Sequence, residues 1–404
     1  MKIAVIVSKF PALTETFIVN QLVFLKSSGH TVHIYAQKLD TENAYINPLI
    51  ERYNLLVDAQ ELNWRNFMPY NKWQRYVHIW RTLMHSSSLF WALLKSLNIF
   101  IYGLSALNGN QFFRTKYLNH FALEKYDVVH VHFANNALNI IEMLNNFQNK
   151  KVVSFHGYDA HRFDASFYKP LREISDISYV VNTKYTRDKV VKLGFNTSRI
   201  SIIPVGVDSS FFISRKRTNM SINVLFVGRL IKLKAPLFSI KIIEKLIKQY
   251  NFQVYFNIIG DGKEYDKCFR YITENNLEKF VHLLGEKAPD EVKNYMNSSD
   301  IFLFPGICNE NGRCEAQGLV IQEAQSMELP VVISDAGGMS EGIINGKTGF
   351  VVNEKDLDGF VDRIIFLIQN PEKRKEMGKA GRLFVVKHYD NEILGNKLLE
   401  LYTH

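Results

Sequence analysis

Short apolar runs alternate with amphipathic stretches along most of the chain, and this alternation predicts an α/β protein. In the first half the apolar runs are residues 3–7, 31–37, 126–133, 151–157, 178–183 and 200–208. Helical patterns separate them, for example at 15–28, 136–146 and 184–192. Strands buried on both faces have continuous apolar sequences, and helices between parallel strands form βαβ units. The first half therefore predicts a doubly wound parallel sheet.

The same alternation restarts after a charged, polar stretch at residues 211–219, which we interpret as a linker between two domains. The later apolar runs are 222–230, 254–262, 280–286, 301–306 and 330–338, and the predicted helices are 236–249, 289–298, 318–327 and 356–369. We predict an N-terminal Rossmann-like domain over residues 1–212 and a C-terminal one over 213–386. The cleft between two such sheets is the expected ligand site.

Length and composition agree with this organisation. The chain has 404 residues, more than one ordinary core, and it is 47% hydrophobic and 22% charged, as in soluble globular proteins. Its three cysteines are too few for a disulfide framework, and Cys308 and Cys314 do not match a zinc spacing. We therefore expect ordinary thiols and a cytoplasmic location. The apolar run near the N-terminus is too short for a secretory signal, and we expect a strand there.

The net charge of +9 is unevenly distributed. Residues 64–123 contain seven Lys or Arg, no Asp or Glu, all four tryptophans and ten other aromatic residues. Helical spacing gives two stripes, one of Trp73, Tyr76, Trp80 and Met84, the other of Phe90, Leu93, Leu94, Leu97 and Ile101. Either these residues form a helical subdomain packed on the first sheet, or they form an interfacial helix pair on an anionic membrane surface. We expect peripheral contact with the membrane's inner face.

The stretch CEAQGLVIQEAQ carries two glutamates, Glu315 and Glu323, on either side of a predicted helix start. The first turn of a helix offers free N–H groups to an anion, so a phosphate fits on the amides of Gly318, Leu319 and Val320. Carboxylates repel phosphate but accept hydrogen bonds from hydroxyls. A sugar on each side of a diphosphate satisfies this layout, which predicts a nucleotide-sugar as ligand.

Two cations and several glycines follow other strands of the second half. In FVGRLIKLKAP, Gly228 ends a strand, and Arg229 and Lys234 are placed to neutralise a diphosphate. Further strand ends suited to close approach of a ligand include Gly260, Gly262 and Leu284. No dinucleotide-binding G-x-G-x-x-G, P-loop or D-x-D pair follows a strand, so we expect neither NAD nor a metal, and no cofactor.

Polar residues also follow two strands of the first half. His156 ends the strand in SFHGYDAH, with Asp159 three residues later, and a histidine there is placed to hydrogen-bond a sugar hydroxyl. Thr14, Glu15 and Thr16 follow the first strand, where Thr14 is the predicted helix N-cap. We expect these residues on the acceptor side of the cleft.

Together the motifs G-R-L-x-x-x-K, G-D-G and E-x(7)-E resemble family 4 of the retaining glycosyltransferases, which have the two-domain GT-B fold. The segments FPALTETFI and HGYD are similar to the colanic-acid and amylovoran exopolysaccharide branch of that family. The similarity extends over essentially the whole chain. The loop ICNENGRC before Glu315 is longer than the usual connection in relatives.

The resemblance implies a role for each matching residue. Arg229 and Lys234 would bind the donor diphosphate, Glu315 the donor sugar, and Glu323 the ribose. His156 would support the transferring sugar, and a C-terminal helix over 387–404 would cross back to the first domain. The resemblance also implies metal-independent transfer with retention by front-face attack.

We therefore expect transfer of a sugar, more readily from UDP than from GDP, to a saccharide or polyprenyl-diphosphate-linked acceptor in exopolysaccharide, capsule or lipopolysaccharide synthesis. One alternative is a nucleotide-sugar 2-epimerase of the same architecture, which would turn over donor without acceptor. Another is a nucleic-acid-binding protein that uses the basic stretch. The sequence has no RNA-binding signature, and we expect no nucleic-acid partner.

Overall fold

Each half of the chain forms one parallel β-sheet. The computed structural model describes residues 1–12, 15–40, 47–85, 90–122, 126–214 and 221–404. The N-terminal sheet has the order β3-β2-β1-β4-β5-β6-β7, with all neighbours parallel. Its strands are β1 (Lys2–Phe10), β2 (Thr31–Leu39), β3 (Ala59–Glu61), β4 (Val128–His132), β5 (Lys150–Phe155), β6 (Ile177–Val181) and β7 (Ile200–Ile202).

The C-terminal sheet repeats this design with six parallel strands in the order β10-β9-β8-β11-β12-β13. Its strands are β8 (Ile222–Val227), β9 (Val254–Ile259), β10 (Val281–Leu283), β11 (Ile301–Phe304), β12 (Val331–Ser334) and β13 (Gly349–Val352). In both sheets the strand order reverses beside the first strand, at β1/β4 and at β8/β11. The carboxyl ends of the strands beside such a point form the crevice where ligands bind in open α/β sheets.

Helices connect the strands. In the N-terminal half they are α1 (Thr16–Ser27), α2 (Pro48–Arg52), α3 (Lys72–His85), α4 (Phe90–Lys95), α5 (Ile99–Tyr102), α6 (Leu104–Leu107), α7 (Asn110–Ala122), α8 (Ala134–Leu138), α9 (Ile141–Asn146), α10 (Tyr158–Arg162), α11 (Lys169–Arg172) and α12 (Lys184–Lys192). In the C-terminal half they are α13 (Pro236–Lys248), α14 (Tyr265–Glu274), α15 (Pro289–Ser298), α16 (Leu319–Ser326), α17 (Leu357–Gln369), α18 (Pro371–His388) and α19 (Asn391–Thr403).

Apolar packing on both faces of each sheet explains the continuous apolar runs. Every residue of β4, β11 and β12 is buried. The N-terminal sheet separates two apolar clusters, one around Tyr126 and Phe155 and one around Ile34 and Leu22, while the C-terminal domain has one large core. The predicted fold of two doubly wound domains is confirmed. The exact boundary at residues 212 and 213 lies between β7 and β8 and stays a prediction.

The last helix lies on the N-terminal domain. The hydroxyl of Tyr402 in α19 lies 2.6 Å from Nδ1 of His130 in β4, and Leu398 packs in the same core as α1. The chain enters α19 beside the segment that leaves the N-terminal sheet, where Val207 N donates to Tyr389 O (2.8 Å) and Asn391 N donates to Val207 O (3.0 Å). The two crossings between the domains therefore run side by side.

Helices α3 to α7 form a subdomain with its own small core and a wide exposed apolar surface. Ile79, Leu93, Phe112 and Phe113 are buried at its centre. Trp73 and Trp91 are instead 71% and 77% exposed. Other large apolar side chains on this exposed surface include Tyr70, Tyr76, Trp80, Met84, Leu94, Ile99, Phe100, Ile101, Leu104 and Leu107. We call this set the aromatic surface. Within the described ranges, no helix combines the length and apolarity needed to cross a membrane.

One expectation about the cysteines is wrong. Cys308 and Cys314 form a disulfide that closes the loop before Glu315, whereas Cys268 is a buried free thiol. The two partners are six positions apart in the sequence, and their Cα atoms lie 4.2 Å apart. Sequence spacing gave no sign of this pairing, because the loop that brings the two ends together is set by its own hydrogen bonds. The expectation of a cytoplasmic location rested on unpaired thiols, and the disulfide removes that support.

Candidate active site

The backbone at the ends of β8 and β9 is packed too closely for any side chain. Gly260 and Gly262 have φ of +131° and +150°, a region that favours glycine. A Cβ on Gly260 would lie 2.1 Å from the carbonyl oxygen of Gly228, and one on Gly262 would lie 2.6 Å from that of Leu230. These contacts fix the loop that carries Arg229, whose side chain is exposed at the cleft edge of the sheet.

An ion pair joins two residues that the sequence assigned separately. Lys234 Nζ pairs with Glu315 Oε2, and the two side chains are only 14% and 17% exposed. Burial by itself would raise the pKa of Glu315, but the charge and hydrogen bond of Lys234, with the charges of Arg229 and Arg313, lower it. Glu315 is therefore ionised at neutral pH. The pair has no net charge and forms a polar surface beside the carboxyl ends of the strands in the C-terminal sheet.

Helix α16 begins next to this pair with open amide groups. Gly318 precedes it with φ +75°, and no side chain caps the helix. The amides of Leu319 and Val320 in the first turn have no intrahelical acceptors, which makes this end an anion site when cations lie beside it. Glu323 lies one turn further along and is partly buried. Burial raises its pKa to about 7.

Leu284 belongs to the edge of the same site. Its amide donates to Ile258 O (2.9 Å), and Gly260 N donates to Gly285 O (2.8 Å). These bonds hold the loop after β10 against the end of β9. All the predicted donor-side residues are thus brought to one edge of the C-terminal sheet, although their roles toward a ligand stay predictions.

His156 lies across the cleft at the end of β5, in a stack of imidazoles. Its Nε2 is 3.0 Å from His132 Nδ1, and the two rings are nearly parallel with centroids 5.2 Å apart. His130 also stacks on His132, with ring centroids 4.3 Å apart. Burial lowers the pKa of His156 to about 3, so the ring is neutral at physiological pH. Its Nδ1 is buried and has no partner among the residues described.

Asp159 supports this histidine rather than facing the cleft. Its carboxylate accepts hydrogen bonds from the amides of Ala134 (2.8 Å), His156 (2.9 Å) and Ala160 (3.2 Å). The side chain is completely buried, and burial raises its pKa to about 6 despite the backbone hydrogen bonds. The interpretation of Asp159 as an acceptor contact is therefore corrected, because both oxygens are occupied and inaccessible.

The loop after β1 places a buried carboxyl group at the start of α1. Glu15 occupies the N-cap position but makes no capping hydrogen bond with its side chain, and Thr16 is the first helical residue. Burial raises the pKa of Glu15 to about 7, against the opposing charge of Lys9, and its Oε2 has no partner among the described residues. Thr14, the predicted N-cap, lies outside the described residues.

Three side chains that the sequence did not single out fasten the domains together. Glu341 accepts from the amides of Lys184 (2.7 Å) and Tyr185 (2.8 Å), so a C-terminal residue caps an N-terminal helix. Gln317 makes two hydrogen bonds of 2.8 Å with the backbone of Val205. The Thr183 hydroxyl donates to Ala316 O (3.0 Å).

Glycines were the residues from which this contact between the domains could have been predicted. A Cβ on Gly157 would lie 2.5 Å from Cβ of Ala316, and one on Gly338 would lie 2.7 Å from the hydroxyl oxygen of Thr183. The pair Gly337-Gly338 is visible in the sequence, but its partner across the cleft is not. This contact places the loop after His156 directly against the segment that carries Glu315.

No His, Cys, Asp or Glu residues in the described part of the chain form a group of three that could hold a metal ion. The expectation that no metal is needed stays a prediction.

Comparison with known proteins identifies both halves. Residues 209–384 match the family described as "Glycosyl transferases group 1", and residues 95–211 match "Glycosyltransferase Family 4". The chain is 25% identical to the amylovoran biosynthesis glycosyltransferase AmsK of Erwinia amylovora over 99% of both chains. It is 26% identical to the putative colanic acid biosynthesis glycosyltransferase WcaL of Salmonella typhimurium over 90% of both.

The fold is shared with solved structures. The crystal structure of Anabaena HepE in complex with UDP superposes with a TM-score of 0.73 over the full length of both chains, at 16% identity. The resemblance found in the sequence motifs and the GT-B fold that it implied are both confirmed.

Proposed function

From the premise that this chain belongs to the glycosyltransferases with a family 4 domain followed by a group 1 domain, we propose that it transfers a sugar with retention from a nucleotide-diphosphate donor, UDP in preference to GDP, to a saccharide acceptor. The observation that carries the proposal is the Lys234–Glu315 ion pair beside the uncapped start of α16. Cations and open amides suit a diphosphate there, and the carboxylate suits the hydroxyls of the sugar attached to it.

The reaction would break the bond between the anomeric carbon and the diphosphate oxygen. Negative charge develops on that oxygen as it departs, and Lys234, Arg229 and the α16 amides would stabilise it. The acceptor hydroxyl would then bond to the anomeric carbon on the same face. Its proton would pass to the departing phosphate oxygen, so no protein nucleophile or metal ion takes part in the proposed step.

His156 would hold the transferring sugar from the N-terminal side. A neutral imidazole is either a donor or an acceptor at each nitrogen, and its Nε2 is already engaged with His132. The unpartnered Nδ1 would bond to a sugar hydroxyl, and because this atom is buried, its covering side chains would have to shift when the sugar binds. Asp159 would act as a positioning residue, because it fixes the backbone of His156 and touches no substrate. Glu15 and Thr16 would contribute on the acceptor side.

We also propose that the aromatic surface lies on an anionic membrane, which places a polyprenyl-diphosphate-linked acceptor within reach. The surface exposes tryptophans beside Lys72, Arg81 and Lys95, and the sequence from 64 to 123 has no carboxylate to repel lipid phosphates. Amphipathic helices with this composition lie in the interface plane. Binding to anionic vesicles tests this part of the proposal.

The pathway is proposed from the relatives. AmsK is named for amylovoran biosynthesis and WcaL for colanic acid biosynthesis, both full-length or nearly full-length matches. HepE was solved with UDP, which favours a UDP-sugar here. We propose a role in exopolysaccharide, capsule or lipopolysaccharide synthesis at the cytoplasmic face of the membrane.

Thermal melting with UDP, GDP and ADP and their sugars, with and without EDTA, tests the donor assignment. We expect UDP or its sugar to raise the melting temperature most, and EDTA to leave that shift unchanged. The absence of a shift with every nucleotide would overturn the proposal. Incubating the preferred donor without acceptor separates transfer from 2-epimerisation, since only an epimerase converts the free donor.

A further inference from the structure

The loop between β11 and Glu315 is held in one shape by its own contacts. The Cys308–Cys314 disulfide closes it, and Asn309 organises its interior. Asn309 Oδ1 accepts from the amides of Asn311 (3.1 Å) and Arg313 (2.9 Å), and Asn309 N donates to Arg313 O (2.9 Å). The loop therefore presents Arg313 from a fixed backbone position, two residues before Glu315.

Arg313 lies in the cleft between the domains. Its guanidinium carbon is 4.9 Å from the centre of the Tyr158 ring, and Tyr158 is the second residue after His156. The side chain is partly buried, and its charge contributes to the lowered pKa of Glu315. Among the described residues, none accepts a hydrogen bond from its guanidinium. A partly buried guanidinium whose N–H groups have no acceptor can donate hydrogen bonds to a ligand.

The charges around Glu315 show what kind of ligand this is. Lys234 and Glu315 neutralise each other, so the uncompensated charge beside them is that of Arg229 and Arg313. Two positive charges match the two negative charges of a nucleotide-sugar diphosphate. Arg229 follows the end of β8, and Arg313 lies in the loop before Glu315, on the opposite side of the ion pair.

Resting on the proposed function, we infer that Arg313 is a further donor-binding residue, which contacts the phosphate nearest to the sugar. Glu315 would bind the sugar and Glu323 the ribose, so a cation beside Glu315 lies at the sugar end of the diphosphate. The planar guanidinium suits bidentate contact with phosphate oxygens, and the Tyr158 ring keeps it in position. Arg313 thus joins the donor to the N-terminal loop that carries His156.

Calorimetric titration of Arg313→Gln with UDP and UMP tests the inference, because UMP lacks the phosphate at the sugar end. We expect the affinity for UDP to fall on the order of tenfold while that for UMP changes less than twofold. Arg313→Lys keeps the charge and should recover most of the UDP affinity. Arg270→Gln removes the same charge from an exposed position on α14 and serves as the matched control.

The outcomes separate this inference from the proposed function. If the unaltered protein binds neither UDP nor GDP, the proposed function fails. If it binds GDP instead, GDP and GMP replace the uridine nucleotides in the same comparison. If it binds the diphosphate and Arg313→Gln binds it equally well, the assignment of Arg313 is wrong. An equal loss for diphosphate and monophosphate would also overturn it, since that result indicates a disturbed fold rather than a lost phosphate contact.

Discussion

At the scale of single residues, the two glutamates of E-x(7)-E differ in ionisation, although nothing in the motif distinguishes their charge states. Glu315 is held ionised by Lys234 and nearby arginines, whereas Glu323 has no charge partner among the described residues and burial raises its pKa to about 7. The sequence predicted that Lys234 binds the donor diphosphate and that Glu315 binds the sugar attached to it. It could not predict that they pair with each other, because a contact across 81 positions depends on the packing of β8 and β11.

Glu323 predicts how donor affinity depends on pH. Only the ionised carboxylate accepts hydrogen bonds from both ribose hydroxyls, so affinity should be low below pH 7 and rise as pH increases through about 7. UDP-glucose is the suitable probe, because its diphosphate has no ionisation in this range. Titration between pH 6 and 8 should show a rising affinity that Glu323→Gln abolishes. A pH-independent affinity in the unaltered protein would contradict the assignment.

Lys234→Ala should lower turnover by roughly 10²- to 10³-fold, as expected when one group that stabilises developing charge is removed. It also leaves Glu315 without its main partner, so a fall in melting temperature should accompany the change. Steady-state kinetics should show that kcat falls more than KM rises. The double variant Lys234→Met with Glu315→Gln controls for the unpaired charge, and full turnover in Lys234→Ala would refute the role.

At the scale of helices and strands, the central strands and the edge strands β7 and β10 were predictable, whereas the edge strands β3 and β13 were not. The runs that predicted β1, β4, β8 and β11 are mostly apolar, because both faces of those strands are covered. β3 consists of Ala-Gln-Glu, and β13 of only four residues at the other sheet's edge. Edge strands need no apolar run, since one side of each has no neighbouring strand.

Helical periodicity in the sequence did not predict that the aromatic surface is exposed. The stripe of Trp73, Tyr76, Trp80 and Met84 is regular, but periodicity alone does not decide whether a stripe faces a core or a partner. The structure leaves this stripe exposed and buries Ile79 on an adjacent face of α3. Arg75, which also looks like a surface cation in the sequence, donates instead to the carbonyls of Pro69 and Tyr70.

Reversing the exposed cations Lys72, Arg81 and Lys95 to Glu should weaken binding to vesicles with anionic lipid. Each contributes on the order of 1 kcal/mol near a negative surface, so the triple reversal should lower partitioning by well over tenfold. Vesicle sedimentation at two salt concentrations measures the effect. Arg270, Lys347 and Lys375, exposed on the C-terminal domain, form the control triple. Equal sedimentation of both triples would exclude the aromatic surface as the contact.

At the scale of the whole molecule, polar contacts join the two domains across the cleft. Glu341, Gln317 and Thr183 each bind backbone atoms of the other domain. The sequence predicted two domains and a cleft, but it could not predict these bonds, because each depends on how two separately folded units meet. Interfaces of this polar kind permit relative motion of the domains.

Glu341→Ala should open the cleft. The change removes both acceptors from the first turn of α12, which costs about 1–3 kcal/mol. Small-angle scattering should show a larger radius of gyration without nucleotide, and donor KM should rise. Glu341→Gln keeps one acceptor and should behave in between. Glu372→Ala, an exposed glutamate on α18, is the control, and an unchanged scattering profile in Glu341→Ala would show that the contact does not hold the domains together.

The position of α19 determines how this protein can be divided experimentally. Leu398 and Tyr402 complete the core around α1 and β4, so the body that contains residues 1–212 also contains the last helix. A fragment cut after residue 212 would expose the apolar groove that α19 fills and leave His130 without its tyrosine. Separating the two halves with each core intact therefore requires a circularly permuted gene, in which α19 is joined directly to the first domain.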